Sequence, residues 1–225
     1  MKVAKFGGSS LADAPQIRKV CKIIMDDPER RVVVVSAPGK GVTDDIKVTD
    51  MLIAAAKATL EKGLAAGTEE MEKIVARYAR IAADLGVPEV MEDIAPAFRS
   101  LLSLHETLPP ARFTDVLKAA GEDNCAKLVA ACLTKMGKPA VYVNPGEAGM
   151  VLTNDFGNAR VLPKSFDLLA KSLSGISEIV VFPGFFGRTE DGEIVTFPRG
   201  GSDITGAILT AALKADVYEN FTDVD

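Results

Sequence analysis

A chain of 225 residues with 48% hydrophobic content is long enough to bury a substantial core, and it fits one large domain better than two. Its net charge of −5 argues against a nucleic-acid surface, so an anionic ligand has to be met by individually placed lysines and arginines rather than by a basic field. A single histidine weighs against His-based triads and multi-histidine metal sites.

Cys21, Cys125 and Cys132 sit in aliphatic helical patterns with no metal-ligand or Cys-x-x-Cys spacing, and read as core thiols of a reducing compartment. The longest apolar run, residues 32–35, is far too short to span a bilayer, and no signal peptide is evident. The expectation is a cytoplasmic protein with neither membrane nor nucleic acid as partner.

In chain order, residues 3–6 form a short apolar strand with Lys5 near its far end. Gly7, Gly8, Ser9 and Ser10 follow, and a helical pattern opens near Ala12. Strand, glycine turn and helix together point backbone N–H groups and a helix N-terminus at an anion. Glycines let the backbone approach a phosphate closely, and Lys5 adds a full charge. The glycine order is neither Walker A nor Rossmann. Taken alone, the turn is equally an ordinary tight turn beside a solvated lysine.

Helix 12–26 carries Ile17, Val20, Cys21 and Ile24 on one face. Residues 31–37 contain four consecutive valines, the mark of a strand covered on both faces of a parallel sheet. The loop Ser36-Ala37-Pro38-Gly39-Lys40-Gly41-Val42-Thr43 then lies where doubly wound sheets hold ligands, although an ordinary strand-to-helix loop would look similar. Helices are expected over 44–62 and 69–85, the second with Met71, Ile74, Val75, Tyr78 and Ile81 in register. A less regular helical stretch runs from 88 to 104, and none of this region shows evident chemistry.

Residues 114–136 read as a buried helix interrupted near Gly121. Glu122 falls on its apolar side, where a carboxylate must be paired or bind a cation; the pattern leaves both open. A strand at 140–143, a hairpin at 152–162 around Asn154-Asp155-Phe156-Gly157, a helix at 164–174 and a strand at 178–182 follow. A β-ribbon spans 188–197 and turns at Asp191-Gly192. Arg199-Gly200-Gly201-Ser202-Asp203 opens a helix through Ile204, Ile208 and Leu209, with Ser202 as its N-cap. Two Gly-Gly-Ser turns, each opening a helix, would aim two helix dipoles at one phosphoryl group. Arg199 offers a planar fork suited to a carboxylate. A final strand covers 217–221.

Val-Ala-Lys-Phe-Gly-Gly-Ser-Ser-Leu at 3–11, Ser36-Ala37 with Thr43, Gly121-Glu122, Asn154 to Gly157, Arg199 to Asp203 and Thr222-Asp223 together resemble the aspartokinases of the amino acid kinase family. The resemblance covers essentially the whole chain, although Asp123-Asn124-Cys125 departs from the residues more usual there. It implies an α/β fold, a three-layer αβα sandwich with a mainly parallel central sheet. It also implies ATP- and Mg²⁺-dependent phosphorylation of the β-carboxylate of L-aspartate to 4-phospho-L-aspartate, the first step towards lysine, threonine and methionine, by a homo-oligomer (dimer or larger).

Carried over by the resemblance, Lys5 and Asp203 are catalytic, and Lys5, Gly7, Gly8, Ser9, Gly200 and Gly201 surround the phosphates. Ser36, Thr43, Glu122, Arg199 and Ser202 bind aspartate, with Glu122 on its ammonium and Arg199 on a carboxylate. Thr222 and Asp223 border the nucleotide, and no protein metal ligand is assigned. The family continues beyond such a segment with more of the nucleotide pocket and then ACT domains. Residues 1–225 are therefore expected to be a catalytic domain lacking the end of its nucleotide-binding part and its regulatory domains. A carboxylate nucleophile is already ionised near neutral pH, so the chemistry reduces to in-line positioning and charge neutralisation. Two alternatives stand beside this reading: a kinase for another small acid such as glutamate or acetylglutamate, and a ligand-binding fragment that does not turn over.

Overall fold

The computed structural model describes residues 1–221; Thr222 and Asp223 lie outside them. Seven strands are seen among these residues: β1 (Lys2–Phe6), β2 (Arg30–Val35), β3 (Ala140–Tyr142), β4 (Ile179–Pro183), β5 (Phe186–Arg188), β6 (Ile194–Thr196) and β7 (Val217–Phe221). The α-helices are α1 (Ala14–Asp26), α2 (Val48–Lys62), α3 (Leu64–Leu85), α4 (Met91–Leu101), α5 (Pro110–Lys135), the single turn α6 (Pro145–Ala148), α7 (Lys164–Leu173) and α8 (Gly201–Ala212).

Five strands form one all-parallel sheet in the order β3-β4-β2-β1-β7. β5 and β6 pair separately as an antiparallel ribbon. Successive side chains of a strand point to opposite faces, so β1 and β2 feed two cores. Ala4, Phe6, Val33 and Val35 pack with α1 to α5 on one face. Val3, Val32, Val34 and Phe182 pack with Leu169 of α7 and Leu209 of α8 on the other. The molecule is thus the expected helix–sheet–helix sandwich.

Several elements depart from expectation. α5 runs unbroken through Gly121. A helical glycine is tolerated there because space requires it: a Cβ would stand 2.8 Å from the Ala37 methyl and 3.1 Å from Leu52 Cδ1. α2 starts four residues later than the pattern suggested, because residues 38–47 are drawn into a loop by Gly41 N–H donating to Asp44 O and Val48 N–H donating to Pro38 O. The hairpin expected over 152–162 reduces to one antiparallel bridge, Leu152–Val161. The helix expected from Ala12 begins at Ala14, preceded by a 3₁₀ turn at Ser9–Leu11.

Candidate functional site

The alternation that builds the two cores also builds the site. Lys5 follows Ala4 and precedes Phe6, so it emerges on the α8 side of β1. There its Nζ lies 2.7 Å from Asp203 Oδ1, with the lysine side chain 7% exposed and the aspartate 46%. Asn220 Nδ2 donates to the same oxygen at 3.1 Å. One strand away, Ser36 continues the face of Val34, and its Oγ is 3.0 Å from Ser202 Oγ. β1 and β2 therefore present one cation and one hydroxyl to the first turn of α8.

That turn is entered through Gly200 (φ 84°), and α8 begins at Gly201. Ser202 lies inside the helix rather than at its N-cap; the left-handed conformation needed before the helix falls to Gly200, which leaves the Ser202 hydroxyl for Ser36. Gly201 is confined by Phe185 and Phe197, whose atoms stand 2.7 and 2.8 Å from where its Cβ would be.

The two glycine turns are not equivalent. Asp13 caps α1 itself, accepting from Gln16 N–H at 3.0 Å, so the N-terminus of α1 is satisfied within its own chain segment. No residue of α1 lines the cleft; the helix N-termini that reach it among the described residues are those of α8 and of α2, the latter through Lys47, Thr49 and Asp50. What the first turn supplies is close backbone approach: Gly39 N–H donates to Gly8 O at 2.7 Å, and a Cβ on Gly8 would meet Ala37 O at 2.9 Å.

Between these parts lies an open cleft of 440 Å³ at the carboxyl ends of β1 and β2, with Lys5, Gly7, Gly8, Arg199, Gly200 and Gly201 among its walls. It continues into a neighbouring space of 490 Å³ that shares Gly7, Gly8, Ser36 and Glu122 and adds Ser9. Both are of small-ligand size. Arg199 is exposed, with its side chain facing the first space.

Glu122 forms the opposite wall. It is 5% exposed, and its Oε2 has no hydrogen-bond partner among the described residues. Burial pushes its carboxyl up to about 8, against the pull of the Ala37 backbone and the Lys118 ammonium. α5 is held in place here by Tyr78, whose hydroxyl donates to Gly121 O at 2.7 Å.

Seven cleft residues had no sequence signal strong enough to find them: Lys47, Thr49, Asp50, Ile53, Lys118, Phe185 and Phe197. Thr43, in contrast, is exposed and does not line the cleft. The loop over 38–47 turns it away and returns the chain to the cleft at Lys47 and Thr49. Lys118 reaches the cleft from α5, 2.7 Å from buried Asp115 and 5.6 Å from the Phe185 ring centroid. Asp115 also accepts from Gly157 N–H at 2.8 Å and Thr196 N–H at 3.0 Å, which brings Gly157 to the cleft wall. Phe185 has φ 76°, a costly conformation for a bulky residue. It is held by Thr205 Oγ1, which accepts from its N–H at 3.1 Å, and by Phe197 N–H, which donates to its carbonyl at 2.8 Å.

Among the described residues no three His, Cys, Asp or Glu side chains cluster to hold a metal. No described helix is long and apolar enough to cross a membrane.

The family model described as the amino acid kinase family matches residues 1–225. Over its whole length the chain is 50% identical to aspartokinase 3 of Bacillus subtilis, of which it covers 49%. It is 30% identical over 99% of its length to the chloroplastic aspartokinase 2 of Arabidopsis thaliana, covering 42% of that protein. Among solved structures, aspartokinase III of E. coli in complex with aspartate and ADP matches all of this chain and 49% of its own, with TM-score 0.85 at 29% identity. The aspartate kinase of Clostridium acetobutylicum matches 99% of this chain and 48% of its own, with TM-score 0.77 at 31% identity. The chain spans about half the length of the curated relatives it matches.

Proposed function

We propose that this chain, which belongs to the amino acid kinase family, carries the substrate and phosphoryl-transfer site of an aspartate kinase, forming 4-phospho-L-aspartate from L-aspartate and ATP. The observation that carries the reading is the polarity of one cleft. Lys5, Arg199, Lys47 and Lys118 line it with the N-terminus of α8, and the carboxyl of Glu122 lines the same space. A free amino acid has the matching pattern, carboxylates at one end and an ammonium at the other. An N-acetylated acid has no ammonium for Glu122, so acetylglutamate fits less well. The aspartokinases similar to this chain, one of them holding aspartate and ADP, support the same choice.

In this reading Arg199 clamps a substrate carboxylate by its two-pronged geometry, and Glu122 takes the α-ammonium. Ser36, Ser202 and Thr49 complete the substrate pocket. Lys5, oriented by Asp203, stands with the amides of Gly8 and Ser9 and the first turn of α8 where negative charge develops on the transferring phosphoryl; the Gly7 N–H expected there donates to Phe221 O at 3.2 Å instead. Thr222 and Asp223 are assigned to the nucleotide border. The first glycine turn fits a phosphate, because the absent Cβ atoms of Gly7 and Gly8 leave the backbone bare. Mg²⁺ that travels with phosphates takes only one or two protein carboxylates, and half-exposed Asp203 is the one at hand. ATP supplies the phosphoryl group; the chain's part is to align it with an already ionised carboxylate. A homo-oligomeric assembly belongs to the same proposal.

The test is hydroxylamine trapping of acyl phosphate with Mg²⁺ and ATP, offering L-aspartate, L-glutamate and N-acetyl-L-glutamate separately, alongside calorimetric titration of each acid. Signal with aspartate alone supports the reading, and signal with another acid overturns the substrate assignment. Aspartate binding without turnover selects the second reading, a binding unit. Neither binding nor turnover with aspartate overturns both.

A further inference from the structure

Arg77 of α3 lies behind the cleft, 2% exposed, and is not itself among the residues lining it. Its Nη1 donates to Ile46 O at 2.7 Å, and its Nη2 donates to Gly39 O at 2.5 Å and to Ala12 O at 3.2 Å. Its Nε is 3.5 Å from Asp44 Oδ2 and makes no hydrogen bond of its own among the described residues. Ala12 closes the 3₁₀ turn that follows the first glycine loop. Gly39, Asp44 and Ile46 belong to the loop between β2 and α2.

A buried guanidinium is costly unless its donors are satisfied. Here the acceptors are backbone carbonyls from the two loops that carry the cleft's residues. The same loops also meet directly, through Gly39 N–H on Gly8 O, at a contact with no room for a Cβ: one on Gly39 would stand 2.5 Å from the Gly8 carbonyl carbon. Only a planar fork with several fixed donors spans three carbonyls in this way; a lysine ammonium is a single point.

We propose that Arg77 is a positioning residue, a buried clamp that holds loop 38–47 against the glycine loop. It thereby fixes Lys47 and Thr49 relative to the amides of residues 7–9. It acts through those loops and contacts no substrate. Loss of the clamp frees the loop to sample positions in which Thr49 and Lys47 miss the bound acid, and displacements of this order are expensive for catalysis.

The experiment uses Arg77→Lys and Arg77→Met with two readouts. Hydrogen–deuterium exchange follows the amides of Gly39, Gly41 and Val48, each bonded within or across these loops. Exchange there is expected to rise by about tenfold or more while β1 and α3 keep wild-type protection, the pattern of local rather than global opening. In the trapping assay, KM for L-aspartate is expected to rise by about tenfold with kcat changed far less, the sign of lost ground-state positioning. Unchanged exchange in the loop overturns the clamp. A fall in kcat at constant KM, with exchange raised everywhere, reduces Arg77 to general stability and also overturns it.

The kinetic half rests on the aspartate reading. If the wild-type chain forms no acyl phosphate, that reading fails, and exchange alone decides the clamp. Where Arg77→Lys and Arg77→Met do not fold, Arg77→Gln, whose amide keeps a donor but cannot span three carbonyls, takes their place, and wild-type exchange over 39–47 in that variant overturns the proposal.

Discussion

Replacing Glu122 by glutamine removes a charge while keeping the volume and one acceptor, and the structure fixes the expected consequences. In the free protein burial pushes the carboxyl up to about 8, so at pH 7 roughly nine in ten molecules hold it neutral. An ammonium arriving at the Glu122 carboxyl favours the charged form, and the proton leaves to solvent. Aspartate binding at pH 7 should therefore release about 0.9 proton per site, measured by calorimetry in two buffers of different ionisation enthalpy. A close, desolvated charge pair is worth about 2–5 kcal/mol. Deprotonating the group one pH unit below its pKa costs about 1.4 kcal/mol of that. Glu122→Gln should thus lose about threefold to a few hundredfold in aspartate affinity at pH 7, and release no proton. In the wild type, affinity should improve about tenfold per pH unit up to pH 8 and then level off, whereas the variant should show no such slope. The unliganded fold should show the opposite trend. A carboxyl raised above its unfolded range contributes stability below about pH 4.5 that is lost as pH climbs through 8, with an upper bound of about 5 kcal/mol. Glu122→Gln should therefore match wild type in thermal stability at pH 5 and exceed it at pH 9. Proton release of zero in the wild type, with equal affinity in the variant, would refute the assignment of Glu122 to the ammonium.

The other predictions concern the facing wall and the loop between β2 and α2. Lys5→Met should lower kcat in the trapping assay by about a hundredfold to a thousandfold with the fold retained, since Asp203 is left half-exposed rather than buried; near-normal turnover would remove Lys5 from the chemistry. Arg199→Ala should raise KM for aspartate by at least tenfold or so while barely altering ADP binding, and equal damage to both ligands would mean a structural role. Thr49→Val should weaken aspartate by about fivefold to tenfold, the value of one lost hydrogen bond, whereas Thr43→Val should change neither KM nor kcat; the reverse result would place the substrate on the wrong side of the loop. Gly8→Ala should cut activity sharply, because its methyl would press on Ala37 O at 2.9 Å; wild-type kinetics would show that the turn has room to relax.

Much of the scaffold was legible because it rests on local periodicity. Four consecutive valines can only be a strand covered on both faces, and the 3.6-residue pattern of Met71, Ile74, Val75 and Tyr78 gave α3. The boundaries that failed were set by tertiary contacts. The pattern near Gly121 looked like a break because glycine is a poor helix former, yet the real constraint was its distance to Ala37 and Leu52. Ser202 looked like a cap because a side-chain oxygen before a helix usually is one; no one-dimensional cue revealed that Gly200 takes that role and that Ser36 waits for the freed hydroxyl. Thr43 was carried over by the family resemblance, and a loop's path depends on what its backbone bonds to. Here that partner is Arg77, more than thirty residues downstream and inside a helix otherwise devoid of chemistry.

The legible and illegible parts of the site divide along one physical line. Lys5 and Ser36 sit at the ends of two neighbouring parallel strands, where a period of two decides which face each residue takes. Once Val3 and Val34 are assigned to the α8 core, both polar groups must turn to the same helix N-terminus, and sequence alone suffices to say so. Glu122, Lys118 and Phe185 reach the cleft only through packing. α5 must lie against Ala37 to bring its carboxylate in, and Phe185 must be held in a left-handed conformation by Thr205 and Phe197. On the proposed reading, the strand ends meet the negative charge of a substrate, and the packed helix brings the group that tells one acid from another. Changing Lys5 should abolish chemistry for every acid alike, while changing Glu122 should shift the choice among acids, since only the second wall distinguishes a free ammonium from its acylated form.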